Sequence, residues 1–469
     1  MVFSKFAPLL ALAVAVFASG ADATVMPRVD AAVHRTLRKQ GTVNLIVTLK
    51  KGTEESLNNV KEAQFATRGQ KISSMVTSLE LNAKSSQVEV TSLLAQEAGT
   101  AQPLFSEYQS FWISNQVYIK DATFDLVVKL VELPSIAEIT EEEIFELAPI
   151  TQAVAVNNTI LANEYGVAKV QAPEVWVKGF NGQGVVVSTI DSGVLGTHTA
   201  LSGNFRSSYG WYDPESKKTA PYDTNGHGTH TMGTIAGAGG VGVAPGATWI
   251  ACKGCRANNC PQADLLACAQ FITCPTTPTG ASKDCTKAPD LVSNSWGGGQ
   301  GSTAFASSVN AWRTAGIIPI FANGNAGPAC KTVNSPGDLS TVIGVGATDS
   351  TDALASFSSK GPSVGGVLKP EISAPGVSVR SAWNTGTSAY NTISGTSMAT
   401  PHVAGVVALL LSKNPALTYA QVLSAITSTA DRTTLKASGY TCGNTADTKF
   451  PNNQFGYGRI NALSAYNTL

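Results

Sequence analysis

The chain has 469 residues, of which 43% are hydrophobic and 14% charged, and its formal net charge is zero. A charged fraction so far below the usual quarter or so, made up by Ala, Gly, Ser and Thr, suits a compact, tightly turned protein and excludes disorder. No basic run is long enough to point to nucleic acid.

Residues 1–23 read as an export signal. Lys5 supplies a positive start, Ala7 to Ala18 is apolar, and Ala21-Asp22-Ala23 is a small-x-small cleavage site. The apolar stretch is short for a bilayer, which favours export over an anchoring helix. Residues 24–150 have no cysteine, little glycine and the acidic run Glu141-Glu142-Glu143. Val43 to Leu49 predicts a strand, Lys51 to about Gln96 is largely helix-like, and Val117 to Ile119 and Ile136 to Ile139 predict further strands. A small α+β domain is expected there, with an unrelated interaction domain as the alternative.

From about residue 160 the texture changes. Gly184 to Ile190, Trp249 to Ala251, Leu291 to Asn294, Ile317 to Phe321 and Val342 to Val345 are strand candidates, each followed by a turn or a helix. Continuous Val/Ile runs are expected of parallel strands buried on both faces. Alternation with helices predicts a doubly wound α/β sheet, whose functional residues sit at the carboxyl ends of the strands. Ala404 to Leu411 is apolar but brief, as in a buried helix. All eight cysteines lie beyond residue 250, and an even count in an exported chain reads as disulfides. The spacing of Cys252 and Cys255 would suit zinc, but no second close pair or nearby histidine completes a set. Crowding between Cys252 and Cys285 favours local loop staples.

Three segments carry chemistry. Asp191-Ser192-Gly193 ends the first strand of this region. Alone it is ordinary turn chemistry, or half of an aspartic-peptidase site, which needs a second such triplet that the sequence lacks. His227 sits between Gly226 and Gly228, which let backbone approach closely, and Thr229 to Ala236 predicts a helix. His230 competes for the role of base, although a packed histidine suits it better. Ser397 precedes Pro401, a residue suited to the first turn of a helix. It is then a helix cap, or a nucleophile favoured by the helix N-terminus. A nucleophilic serine needs a histidine base, and the base an orienting carboxylate. The chain order Asp191, His227, Ser397 is that of subtilisin, whereas an α/β-hydrolase would place its histidine last.

Residues 160–465 resemble the subtilisin-like serine peptidases in several further motifs. Asn225 to Gly237 is similar to the family's histidine segment. Ser293 to Gly298 resembles the strand that binds substrate backbone and walls the S1 pocket. Ala322 to Gly327 resembles the segment bearing the oxyanion-hole asparagine, which falls on Asn325 rather than Asn323. Gly344 to Gly361 and Phe455 to Ala462 also look like family sequence.

The resemblance implies a subtilisin-like doubly wound, mostly parallel sheet flanked by helices. Before it would come a small α+β propeptide at 24–150, the catalytic domain spanning 151–469. It implies a secreted serine endopeptidase, made as an autoprocessed zymogen and acting on proteins or peptides. Asp191, His227, Ser397 and Asn325 would be catalytic, and Ser295, Trp296, Gly297 and Gly324 would bind substrate. Gly297 and Gly324 would leave an open, uncharged pocket for large apolar or aromatic P1 residues, with Trp296 either crowding a neighbouring subsite or lying in the core. The propeptide would act as intramolecular chaperone and inhibitor, cut from the rest between about Glu146 and Asn158. No cofactor is required for the chemistry, no metal ligands are identified, and structural calcium is compatible with the family. Neither nucleic acid nor membrane is implied as a partner. Asn157-Asn158-Thr159 is an N-glycosylation sequon at the expected junction. A degenerate, non-catalytic binder is the alternative function class, against which the intact triad speaks.

Overall fold

The computed structural model describes residues 26–147, 151–152 and 163–469. The expected export signal and the Asn157 sequon lie outside the described residues, as do most of the bonds expected to be processed.

The N-terminal unit opens with β1 (Arg28–Val29), α1 (Ala31–Gln40) and β2 (Thr42–Leu49). The helix-like stretch resolves into α2 (Glu54–Glu62), α3 (Arg68–Ser86) and α4 (Val88–Ala98). Then come β3 (Glu107–Phe111), β4 (Gln116–Thr123), α5 (Phe124–Leu130), β5 (Ile136–Glu141), β6 (Ile144–Leu147) and β7 (Thr151–Gln152). The first five strands form one sheet in the order β1-β5-β2-β4-β3. Buried residues of α1, α4 and α5, among them Leu37, Leu94 and Leu126, close its core against Leu45, Val47 and Ile119. The α+β expectation therefore describes this region. β3 lacks an apolar run, with its first four residues exposed, so no hydrophobic pattern announces it.

The larger part begins with α6 (Tyr165–Lys169), α7 (Ala172–Trp176), β8 (Val186–Asp191), β9 (Trp211–Tyr212) and α8 (His227–Ala236). It continues through β10 (Thr248–Lys253), β11 (Asn259–Pro261), α9 (Gln262–Thr273), β12 (Leu291–Asn294), β13 (Trp296–Gly297), α10 (Ala306–Thr314) and β14 (Ile318–Ala322). After β15 (Ile343–Thr348), β16 (Ile372–Pro375), β17 (Val379–Ala382) and β18 (Tyr390–Ser394) come α11 (Thr396–Lys413) and α12 (Tyr419–Ser428). Seven strands form a wholly parallel sheet in the order β16-β15-β14-β12-β8-β10-β9. Its two faces are both covered. Val187, Trp249, Leu291 and Ile320 pack with α8 and α11, while Ile190, Ile250, Val292 and Phe321 pack with α9 and α10. Successive strand residues face opposite ways, so unbroken apolar runs such as Val342 to Val345 are what two buried faces demand. This is the α/β fold expected of the chain.

Two helix expectations change in detail. α8 begins at His227, two residues before Thr229. Pro401 is the sixth residue of α11, inside the helix rather than in its first turn. Its missing N–H frees the carbonyl of Ser397, and Ser295 Oγ donates to that carbonyl at 3.1 Å.

All eight cysteines pair. Cys252–Cys268, Cys255–Cys260 and Cys274–Cys285 are the local staples that their crowding predicted, and Cys330–Cys442 closes a long loop. Cys252 and Cys255 thus serve disulfides rather than zinc. Among the described residues no helix is long and apolar enough to cross a membrane.

Candidate active site

Asp191 is the last residue of β8, at the carboxyl edge of the sheet. Ser192 N donates to its Oδ1 at 2.8 Å, and Thr231 Oγ1 donates to Oδ2 at 3.3 Å. His227 opens α8 directly above it. Gly228 permits that approach, since a Cβ there would meet Gly193 O at 2.0 Å. Gly226, with φ of +101°, turns the chain into the helix and would drive a Cβ into Trp383 at 2.6 Å. The close approach expected of the two glycines is thus what they provide.

The free N–H groups at the start of α8 are met by three side chains. Asn225 Oδ1 accepts from His227 N at 3.2 Å, Ser192 Oγ from Gly228 N at 3.0 Å and Asp223 Oδ2 from Thr229 N at 2.8 Å. Asp223 Oδ1 also accepts from Ser192 Oγ and from the N–H groups of Asn225 and Gly226. One carboxylate therefore ties the turn before His227 to the residue after Asp191. No motif marks Asp223 in the sequence, although an aspartate that accepts from the N–H two residues on forms an Asx turn, here with Asn225.

His227 Nδ1 lies 2.7 Å from Asp191 Oδ1, with both side chains about 1% exposed. Burial works against a charged imidazole, but the adjacent Asp191 carboxylate outweighs it and holds the His227 pKa above its ordinary value. The competing histidines are unsuited to act as bases. His230 is buried with Nε2 on Val379 O, and desolvation lowers its pKa to about 3. His402 is buried with Nδ1 on Met398 O and is lowered to about 4.

Ser397 is the second residue of α11, where a backbone N–H has no intrahelical acceptor. Its Oγ donates to Ser295 O at 3.1 Å, and His227 Nε2 has no partner among the described residues. Asn325 faces Ser397 across a cavity of about 390 Å³, which Ser295, Trp296, Gly297, Gly324 and Glu146 also line. Thr396 donates to Asn325 Oδ1 from its N at 2.9 Å and its Oγ1 at 2.8 Å. The amide is thereby turned so that its Nδ2 hydrogens are left for a group in the cavity. Asn323, by contrast, is fully buried and donates to Ser359 O at 2.7 Å. Gly324 adopts a φ of +106°, and a Cβ there would lie 1.9 Å from Asn334 Oδ1. Both backbone shape and space therefore require glycine at this wall.

The chain's own β6 occupies the groove beside this cavity. It pairs antiparallel with β11 on one side, Cys260 opposite Phe145, and with β13 on the other, Trp296 opposite Leu147. Trp296 belongs to both settings weighed for it. Its ring is 2% exposed against Phe305 and Phe321, and it meets Phe145 of the seated strand edge-on at 5.5 Å. Beyond Leu147 the next described residues, Thr151 and Gln152, pair with Ser394 and Ile393, just before Ser397. Among the described residues no group of three or more His, Cys, Asp or Glu side chains is placed to hold a metal ion.

Residues 182–458 match the Subtilase family. Bacillopeptidase F of Bacillus subtilis is 30% identical over 95% of this chain, which spans 33% of that relative's length. Subtilisin DY of Bacillus licheniformis is 37% identical over 57% of this chain and 90% of its own. Subtilisin E of Bacillus subtilis is 35% identical over 63% of this chain and 74% of its own.

Proposed function

The chain belongs to the subtilase family of serine endopeptidases, and we propose that it cleaves proteins through an acyl-enzyme on Ser397. The observations that carry this reading are the Asp191–His227 pair at 2.7 Å, with His227 Nε2 left without a partner among the described residues, and a cavity shared by Ser397 and Asn325. Neutral His227 takes the Ser397 proton through Nε2 as Oγ attacks the scissile carbonyl, so Oγ must exchange Ser295 O for His227. Asp191 fixes the ring with its proton on Nδ1 and stabilises the imidazolium. The carbonyl oxygen becomes negative and is bound by Asn325 Nδ2 and the Ser397 N–H. His227 then protonates the leaving amine, and water repeats the sequence to release the acyl group. Ser295 to Gly297 would pair with substrate backbone, as Trp296 and Gly297 do with β6. The uncharged wall at Gly297 and Gly324 suits a large apolar or aromatic P1 side chain.

The seated β6 supports a zymogen in which residues 24–150 block the cleft. Leu147 pairs with Trp296 and Thr151 with Ser394, three residues before Ser397, which supports a processed bond between Leu147 and Thr151. Four disulfides suit an oxidising, extracellular setting.

The test is Ser397→Ala. The wild-type chain should hydrolyse casein, label with a fluorophosphonate probe and yield a fragment beginning within residues 148–151. The variant should fold, stay uncut and do none of these. Casein hydrolysis by Ser397→Ala at the wild-type rate would remove Ser397 from the mechanism. A wild-type chain that neither labels nor cleaves would be a degenerate binder.

A further inference from the structure

The pair α2–α3 does not serve the core of the unit that contains it. On α3, Ile72, Met75, Val76 and Leu79 follow the i, i+3, i+4, i+7 spacing of one helix face. With Leu57 and Val60 of α2 they lie in the buried cluster of the catalytic domain, together with Phe271, Trp312, Ala315 and Ile317. The N-terminal unit's own cluster draws on α1, α4 and α5 and contains no residue of α2 or α3.

Arg68 sits at the tip of this pair. Its guanidinium donates to Ala315 O at 3.1 Å, to Ala288 O at 3.3 Å, to Pro289 O and to Asp290 Oδ1 at 3.3 Å. Ala315 is the C-cap of α10, where carbonyls lack intrahelical donors and the helix end is negative. Three carbonyls and a carboxylate converging on one point call for a cation with several donors in a fork, which is arginine rather than lysine. The neighbouring Gly69 lets α3 settle on the loop closed by Cys274–Cys285, since a Cβ at 69 would lie 2.9 Å from Thr286 Cγ2. Glu80 and Lys283 form an ion pair further along the same contact.

We propose that α2–α3 is an anchor that holds the N-terminal unit on the catalytic domain away from the cleft, keyed by Arg68 to the Ala288–Asp290 turn and the end of α10. The partner this surface fits is the chain's own N-terminal unit, retained after the connecting bond is cut. The proposal rests on the reading of that unit as an inhibitor. Release then requires that two separate sites let go, and cutting the strand at the cleft leaves the anchor in place.

The test compares wild type with Arg68→Ala and Gly69→Phe, neither of which touches the cleft or the N-terminal unit's own core. After processing, each complex is diluted and followed by size-exclusion chromatography and peptidase activity. Both variants should lose the fragment, and gain activity, at concentrations at least tenfold higher than wild type. Their activity once the fragment is stripped should equal that of wild type, because the catalytic sequence is the same. In parallel, amide exchange is measured on the uncut Ser397→Ala chain with and without each change. Exchange should rise together in 54–86 and 274–290 while 144–147 stays protected. Fragment retention and exchange unchanged in both variants would overturn the anchor. A wild-type fragment that leaves the cleft uninhibited would overturn the inhibitor reading instead, and the exchange result would still decide the anchor.

Discussion

His227 is where charge, burial and function meet. Its raised pKa means that the Asp191 carboxylate stabilises the imidazolium more than burial penalises it. The base must be neutral to take the serine proton, so the protonated ring is the inactive form. Activity should therefore fall as pH drops through a value above the usual 6.5 of histidine. A kcat/KM profile against a peptide substrate measures that limb. Asp191→Asn should move it to lower pH as well as slowing the reaction, and a limb that stayed in place would separate Asp191 from His227. Thr396 acts one step further out, by turning the Asn325 amide. Thr396→Val removes one of the two bonds that hold Oδ1. A hydrogen bond is worth about 1 kcal/mol, so kcat should fall roughly five- to tenfold with KM little changed. Asp191, His227, Ser397 and Asn325 were legible because each lies in a short segment with glycine or proline at fixed offsets. Asp223 and Thr396 were not, because Asp223 works by accepting from main-chain N–H groups and Thr396 by orienting a neighbouring amide. Nothing in a side chain's identity distinguishes that work from an ordinary turn.

At the level of elements, five of the seven strands of the parallel sheet were legible to within a few residues, because most of their positions are buried and apolar, whereas β9 and β16 were not. β12 agrees at both ends, and β8, β10, β14 and β15 differ by one to three residues. β3 and the short pairing strands β6, β11 and β13 were not legible as strands. β6, β11 and β13 pair with residues more than a hundred positions away, and β3, which pairs with the nearby β4, lacks an apolar run, so no local pattern encodes them. The acidic run noted in the sequence finds its use at this scale. Glu142 accepts from Ala263 N at the start of α9, and Glu143 from Ser302 Oγ. Burial raises the pKa of both, above what their hydrogen bonds recover. A carboxyl whose pKa is higher when docked takes up a proton on docking. Its contribution is complete below the free value near 4.5 and diminishes as pH rises through the docked value. Retention of the N-terminal fragment should therefore weaken as pH rises above about 4.5. Glu142→Gln, which cannot ionise, should flatten that dependence. Fragment dissociation followed from pH 4.5 to pH 8 decides it, and a complex that instead tightens with pH would contradict the assignment.

Across the whole molecule, the sequence showed two regions and an even count of cysteines but not which cysteines pair. Composition carries no information on loop closure, and eight cysteines allow 105 pairings. The pairs found divide by span. Cys255 and Cys260 are 5 residues apart beside the substrate groove, while Cys330 and Cys442 are 112 residues apart. Cys330–Cys442 joins the loop after Asn325 to the chain that follows α12, so it crosses much of the catalytic domain. Restricting the unfolded chain gains more as the closed loop lengthens, about 2 kcal/mol for the short loop and about 5 kcal/mol for the long one. The two bridges should therefore differ in what they hold. Replacing Cys330 and Cys442 together by serine should lower unfolding stability roughly twice as much as replacing Cys255 and Cys260. The short bridge fixes the geometry of β11 instead, because Cys255 and Cys260 flank the turn at 256–259 that leads into that strand, with Cys255 N on Asp191 O at 3.0 Å. Its loss should thus raise KM for extended peptides while costing only about 2 kcal/mol of stability. Denaturant unfolding in a Ser397→Ala background, which prevents self-digestion, measures the first effect, and steady-state kinetics of the active chain the second. Equal losses of stability from the two pairs would show that loop length is not what sets the contribution of these disulfides.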